Sequence, residues 1–165
     1  MSLPDADMPP EHWRYFRHLD SLAAVQGEDT EAEAEAVTAV LRDPDRVMAE
    51  SAVVTHLDRR AAGLLADDAF TAWARAMSGV LAGRAFPERR LREWSLLTAV
   101  TRGEPWSPAE LTGSSDWCQR TAVRLLTSHA ALELLAADAR TRRVRNAAAE
   151  RLRRRPVASD TPQSE

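Results

Sequence analysis

Lysine is absent from this chain and cysteine occurs once, and the scarcity of cysteine excludes two kinds of stabilising site. All 22 basic side chains among the 165 residues are arginines. The one cysteine, Cys118, cannot form an internal disulfide and cannot build a multi-cysteine zinc site. This usage fits a reducing compartment, so we expect a cytoplasmic protein.

Long apolar runs are also missing. No uncharged stretch approaches the length of about 20 residues that a membrane-spanning helix needs. The N-terminus is acidic and lacks the apolar core of an export signal. Nothing in the sequence requires a membrane, and we expect no membrane partner.

Motifs for catalysis and for phosphate binding do not stand out. The six glycines are scattered singly, so there is no glycine-rich phosphate loop, and no serine elbow or paired-carboxylate motif appears. The histidines do not form a ligand set, and we expect solvated or capping roles for His12, His18, His56 and His129. We assign no catalytic residue, metal ligand or cofactor site, and the balance favours binding over catalysis.

A recurring helical pattern is what the sequence does contain. A larger apolar residue is followed four positions later by a small one, and such pairs form a notch on a helix face where a neighbouring helix can pack closely. The four pairs are Val47 with Ser51, Leu91 with Ser95, Cys118 with Ala122, and Val144 with Ala148. No segment shows the alternation of a strand. We therefore predict an all-α fold of about seven to eight helices stacked as antiparallel hairpins.

Turn residues predict where several helices begin and end. Helices are expected to end near Gly27, Gly63, Gly83 and Gly103. The expected starts are a capping box of Thr30 with Glu33, Asp43-Pro44, Asp67 or Asp68, Pro87, Ser107-Pro108, and Ser114 or Ser115. The length favours a single core, so we predict one helical-repeat domain over residues 10–155. Residues 1–9 are predicted to be a flexible segment and residues 156–165 a disordered tail.

Two stretches resemble HEAT repeats, which belong to the armadillo-type helical repeat proteins. Residues 132–138 followed by 143–152 have the short helix, the turn with Asp138, and the Val-Arg, Ala and Leu order of the second helix. Residues 40–47, with their Asp-Pro-Asp turn and Ser51 and Ala52 beyond, look like a second copy. The resemblance implies a right-handed α-solenoid. A compact irregular helical bundle is the alternative architecture.

A HEAT-like stack leaves a broad concave face free for a partner. We therefore expect a non-catalytic scaffold or regulatory module that binds a protein or peptide. The sequence does not indicate an oligomeric state.

Five tryptophans are the largest apolar side chains of the chain. Trp13, Trp73 and Trp94 fall on apolar stripes and are predicted to lie in the core. Trp106 lies in a proline-flanked loop and Trp117 in the first turn of the next helix, so these two could form an exposed aromatic patch.

The predicted partner-binding surface combines this patch with arginines of the same helix. Its residues are Trp106, Trp117, Arg120 and Arg124. In the alternative arrangement Trp106 folds back as a plug over a hydrophobic gap. A further hypothesis places a small-molecule sensor or an enzyme pocket near Trp106 and Trp117.

The charge is distributed unevenly along the chain. Residues 1–45 contain 11 acidic and 3 basic side chains, whereas residues 138–155 contain 8 arginines and 2 acids. Arginines at this density can contact phosphates. The alternative function is therefore nucleic-acid binding through Arg140, Arg142, Arg143, Arg145 and Arg151.

Overall fold

The computed structural model describes residues 10–27 and 29–154, and this part of the chain is helical without strands. The all-α prediction is confirmed. The described residues form nine helices, because the short α6 is a helix of its own. The helices are α1 (Glu11–Ala24), α2 (Thr30–Val40), α3 (Arg46–Leu64), α4 (Ala69–Leu81), α5 (Ala85–Thr101), α6 (Pro108–Gly113), α7 (Asp116–Leu125), α8 (His129–Asp138) and α9 (Arg142–Arg154). The predicted flexible segment and disordered tail lie outside the described residues.

Most predicted helix ends agree with the structure. Gly27, Gly83 and Gly103 follow α1, α4 and α5 with φ of 86°, 80° and 69°, the left-handed region that glycine adopts without strain. Ser107 caps α6 by accepting a hydrogen bond from the Glu110 amide at 3.3 Å, as predicted.

Three predicted helix starts are wrong in detail. Asp29, and not Thr30, caps α2 by accepting from the Glu31 amide at 2.9 Å. Asp45 caps α3 by accepting from the Met48 amide at 3.0 Å. α5 begins two residues before Pro87, which lies in its first turn, where a missing amide hydrogen costs no helical bond.

The contacts within the chain separate two compact units, one ending at Ser95 and the other beginning at Leu96. In the first unit, α1 packs on α2 and α3, α2 on α3 and α4, and α3 on α4. The fully buried apolar side chains of this unit include Leu22, Val37, Val53, Leu57, Met77 and Leu81. The single domain over residues 10–155 stays a prediction.

The second unit contains the end of α5 and helices α6 to α9. There α6 packs on α7 and α8, α7 on α8 and α9, and α8 on α9. Its fully buried apolar side chains include Leu97, Leu111, Ala122, Leu132, Leu135 and Ala148. Gln119 is also fully buried, and all its hydrogen-bonding atoms find partners, as described below.

Both residues of each predicted notch are buried in the second unit, whereas each notch of the first unit has an exposed residue. Cys118 with Ala122 and Val144 with Ala148 are all at most 2 % exposed, on helices that pack against each other. Val47, by contrast, is 78 % exposed, and the predicted notch there is wrong. α3 turns Met48, Ala49 and Ala52 inward instead.

Two of the three tryptophans predicted for the core lie there. Trp73 and Trp94 are each 2 % exposed, but Trp13 is 63 % exposed, so that prediction is wrong. The stripe that contains Trp13 continues with Phe16, Leu19 and Leu22 in steps of three residues. Each such step falls about 60° short of a full helical turn. Over the nine residues from Trp13 to Leu22 this rotation reaches half a turn, so burying Leu22 exposes Trp13.

Candidate interaction surfaces

α1 carries an aromatic face with two large apolar side chains exposed to solvent. Pro10 precedes the helix and its carbonyl accepts from the Trp13 amide at 2.9 Å. Trp13 and Phe16 are three residues apart, so they share one side of the helix. They are 63 % and 62 % exposed. The Tyr15 ring lies edge-on to the Phe16 ring, with centroids 5.6 Å apart.

The opposite side of α1 is held by an ion-pair cluster around Asp43. The guanidinium of Arg14 donates to Asp43 at 2.5 and 3.3 Å, and Nε2 of His18 donates to it at 2.8 Å. Burial alone would raise the pKa of Asp43, but the hydrogen bonds from Arg14 and His18 outweigh it and lower that pKa to about 2. The cluster fixes α1 against the turn before α3.

A second carboxylate, Glu33, lies inside the first unit. Glu33 is 1 % exposed, and its Oε1 accepts from His56 Nε2 at 2.7 Å, Trp73 Nε1 at 2.9 Å and Arg60 Nε at 3.1 Å. Burial raises the pKa of Glu33, yet these three donors together lower it to about 2. The cluster joins α2, α3 and α4.

These two clusters correct the histidine prediction. His56 is buried and bonded to Glu33, and His18 is half-buried on Asp43, so neither is simply solvated or a helix cap. The spacing of the sequence does indicate that Glu33 is buried, because Glu33 lies one helical turn before Val37 on the buried face of α2. A glutamate is usually found on the surface, but for Glu33 the helical periodicity predicts the burial correctly.

Trp94 repeats the contact made by Trp73. Its indole Nε1 donates to Asp58 at 2.8 Å, and Arg90 donates to the same carboxylate at 2.5 Å. Both buried indoles of the first unit therefore donate to carboxylates on other helices, which satisfies their polar atoms inside the core.

A groove of about 440 Å³ lies between α4 and α5 in the first unit. Two arginines, Arg75 and Arg92, line it together with Glu88 and the buried Leu91. Neither arginine makes an ion pair or a side-chain hydrogen bond with the residues that the structure describes. The remaining lining residues are Thr71, Ala74, Ser78 and Ser95.

The predicted partner-binding surface lies in the second unit. Trp106 and Trp117 are both half-buried, between the exposed patch and the buried plug that the sequence allowed. Arg120 is ion-paired with Asp116 at 3.0 Å. Arg124 is exposed and has no side-chain partner in the described part of the chain.

The arginines assigned to nucleic acid divide into two groups. Arg145 donates to the Ala139 carbonyl at 2.7 Å and Arg151 donates to the Val123 carbonyl, so these two stabilise the fold. Arg140, Arg142 and Arg143 are exposed and their side chains bind no other described residue. Of these five arginines, the exposed ones without a side-chain partner therefore lie just before α9 and in its first turn.

No group of three or more histidine, cysteine or acidic side chains within residues 10–27 and 29–154 is arranged to hold a metal ion. In the same residues, no helix combines the length and apolarity needed to cross a membrane. No family model matches the chain, and comparisons with curated proteins and with solved structures find no match either. The HEAT resemblance therefore stays a prediction.

Proposed function

We propose that this chain is a non-catalytic protein-interaction module that binds a partner protein through the aromatic face of α1. The observation that carries the proposal is the exposure of Trp13 and Phe16, each above 60 %. Large aromatic side chains dominate the energetics of protein interfaces and are enriched among their hot spots. Two of them side by side on a surface helix form an apolar site that a partner can cover.

The free energy available from burying these two side chains supports this assignment. Burying the exposed parts of one Trp and one Phe removes roughly 250 Å² from water, which at about 25 cal/mol per Å² is worth on the order of 6 kcal/mol before the costs of association. The Asp43 cluster holds α1 in place before binding. Less conformational entropy is then lost when the partner binds.

Affinity capture from cells that express the protein tests the proposal. Wild type should retain a partner protein that the double variant Trp13→Ala, Phe16→Ala loses. The matched control is Arg17→Ala, Asp20→Ala, which changes two exposed polar residues of the same helix and should retain the partner. Retention by the aromatic variant would contradict the proposed surface.

The predicted surface in the second unit supplies another arm of this experiment. If Arg120→Ala, Arg124→Ala loses the partner and the α1 variant keeps it, the binding site lies near Trp106 and Trp117 instead. Sedimentation velocity on the same proteins would reveal a second copy of this chain as the partner of α1.

We also propose that the helices of each unit stack as hairpins in the manner of a HEAT-like solenoid. Support comes from packing between alternate helices, α1 on α3 and α2 on α4 in the first unit, α6 on α8 and α7 on α9 in the second. Alternate-helix packing is what a two-layer stack requires. A crystal structure showing the helices of either unit wrapped around one closed core would refute it.

A cytoplasmic location is also proposed. It is supported by the single cysteine, which is a buried free thiol that gains nothing from an oxidising compartment. Fractionation of cells that express the tagged chain tests it, and recovery outside the cytoplasm would refute it.

Nucleic-acid binding is the second candidate function, and the unpaired Arg140, Arg142 and Arg143 favour it. Duplex binding should weaken with salt, and the slope of log K against log salt should fall by about 0.9 for each phosphate contact that is lost. The variant with all three arginines changed to Ala tests this. Arg153→Ala, Arg154→Ala is the control, since these two are already bonded to Glu150. Binding that is indifferent to salt would exclude this function.

A further inference from the structure

The groove between α4 and α5 has two walls with the same register. Each wall consists of residues at positions i, i+3, i+4 and i+7, which form one continuous face of a helix. The residues are Thr71, Ala74, Arg75 and Ser78 on α4, and Glu88, Leu91, Arg92 and Ser95 on α5. Four of these eight side chains are small, so the space between the two helix faces is open to a further helix.

The groove contains the Leu91–Ser95 notch of the sequence pattern. Leu91 is 5 % exposed and forms the floor, while Ser95 is exposed at the rim. The Ser95 hydroxyl donates to the Leu91 carbonyl of its own helix at 3.0 Å, so it does not project as a free polar group. The Leu91–Ser95 notch, which predicted close packing of a neighbouring helix, is therefore present, and no described helix fills the space above it.

The charges that line the groove indicate which kind of partner it binds. Arg75 and Arg92 are exposed on opposite walls and have no partner among the described residues, while Glu88 is the one acidic residue of the lining. Arg60 and Arg90 of the same unit, by contrast, are each bonded to a carboxylate. The groove thus offers two guanidinium groups that form no ion pair with a described residue, and guanidinium groups prefer carboxylates.

The openness of the groove argues against a small molecule. Binding pockets for small molecules bury most of the ligand surface, but Leu91 is the only buried residue of this lining. An amphipathic helix needs only one face covered, and helix-in-groove docking covers just one face of the docked helix.

We propose that the α4–α5 groove binds an acidic amphipathic helix of a partner protein, with apolar side chains on Leu91 and carboxylates on Arg75 and Arg92. The proposal rests on the proposed function in that the chain acts by binding proteins. It concerns a different surface from the α1 face, so each can fail alone.

Fluorescence anisotropy of the full chain with synthetic peptides tests the proposal. The probe is a labelled helical peptide with leucine along one face and glutamate on the other. A matched peptide has lysine in place of each glutamate, and a scrambled peptide keeps the composition but lacks the apolar face. The acidic helix should bind at least about tenfold more tightly than either of the others.

Variants locate the binding site. Arg75→Glu, Arg92→Glu should weaken the acidic helix by about tenfold or more. The matched control Arg42→Glu, Arg59→Glu makes the same change of charge at exposed positions outside the groove and should have little effect. Ser78→Trp, Ser95→Trp fills the groove without changing its charge and should also weaken binding. Circular dichroism verifies that each variant is folded.

Three results would overturn the proposal. They are no binding of the acidic helix by wild type, equal weakening by the groove and control charge variants, and unchanged binding by the tryptophan-filled groove. The α1 variant Trp13→Ala, Phe16→Ala separates the two surfaces. If it abolishes peptide binding while the groove variants do not, the peptide binds to α1 and the groove proposal fails although the proposed function stands.

Discussion

Single buried polar residues determine much of how each unit is held together. Glu33 in the first unit and Gln119 in the second are each at most 1 % exposed and bonded to at least two other segments. A buried polar group is costly to leave unpaired, so removing such a residue has a larger effect than its own bonds suggest.

Glu33→Ala should destabilise the protein by about 3 to 5 kcal/mol, because His56, Arg60 and the Trp73 indole lose their shared acceptor. Urea denaturation measures the change in the free energy of unfolding. Glu35→Ala, at an exposed position of the same helix, is the matched control and should lie within about 0.5 kcal/mol of wild type. Equal stability of the two variants would mean that the Glu33 cluster adds nothing.

The depressed pKa of Glu33 also sets a direction for the pH dependence. Its folded pKa, about 2, lies below the ordinary value of 4.5, so the folded state holds this proton less tightly than the unfolded state does. Its contribution is complete above about pH 4.5 and is lost as the pH falls toward 2. Between those values Glu33→Gln should lose less stability than wild type, and a parallel decline would contradict this account.

Gln119 gives the corresponding prediction for the second unit. Its amide nitrogen donates to the carbonyls of Leu111 at 3.1 Å and Thr112 at 2.9 Å, and its oxygen accepts from the Arg140 amide at 2.8 Å. Gln119→Leu should cost about 2 to 3 kcal/mol by leaving these backbone groups without partners. Thermal unfolding measures it, with the exposed Asn146→Ala as control. A melting temperature unchanged from wild type would count against the bridging role.

Helical periodicity predicts which of these side chains are buried better than residue type does. Cys118 is buried, as expected for a residue of the Cys118–Ala122 notch. Glu33 was assigned to a capping box with Thr30, and His56 to a solvated or capping role, because charged and titratable side chains usually lie at helix ends or on the surface. The carboxylate and its donors come from three helices, and no local pattern reports that convergence.

At the scale of helices, Asp43 attaches α1 to the turn before α3. Asp43 binds Arg14 and His18 and also accepts from the Asp45 amide at 2.8 Å. Helices of this length gain most of their stability from packing and tertiary bonds. The Asp43 attachment therefore helps to hold the aromatic face of α1 in place, together with the packing of α1 on α2 and α3.

Asp43→Ala should loosen α1 more than the other helices of its unit. Hydrogen–deuterium exchange is the measurement, and amides of residues 14–24 should exchange faster than in wild type while those in the middle of α3 keep their protection. Asp20→Ala on α1 is the control. Uniform acceleration across α1, α3 and α4 would show that Asp43 supports the whole unit instead.

Helix ends were predictable where glycine or a serine cap marks them, because these signals act over a few residues. The predicted starts of α2 and α3 differ from the observed ones because two possible capping residues lie close together in each case. The local sequence does not show which of the two has the backbone geometry of a cap in the folded chain. The exposure of Trp13 could not be read from a three-residue spacing, since that spacing drifts around the helix over its length.

For the whole chain, the boundary between the compact units falls inside α5, a continuous helix of 17 residues. Unfolding either unit would remove the packing from one part of this helix. We therefore expect a single cooperative transition, as the predicted single domain requires.

Tryptophan fluorescence can test this cooperativity by unit. Trp13, Trp73 and Trp94 report on the first unit, and Trp106 and Trp117 on the second. Variants that keep only one set, with the others changed to Phe, should show the same urea midpoint. Controls are single substitutions that establish how much each change shifts the midpoint alone. Two separate midpoints after this correction would indicate two domains.

The complete burial of Cys118 has a practical consequence. Since the chain has no other sulfhydryl, a chromogenic thiol reagent can react only when the α7 region transiently opens. The rate of colour development in native buffer therefore measures how often the second unit opens locally, without a background signal from other thiols.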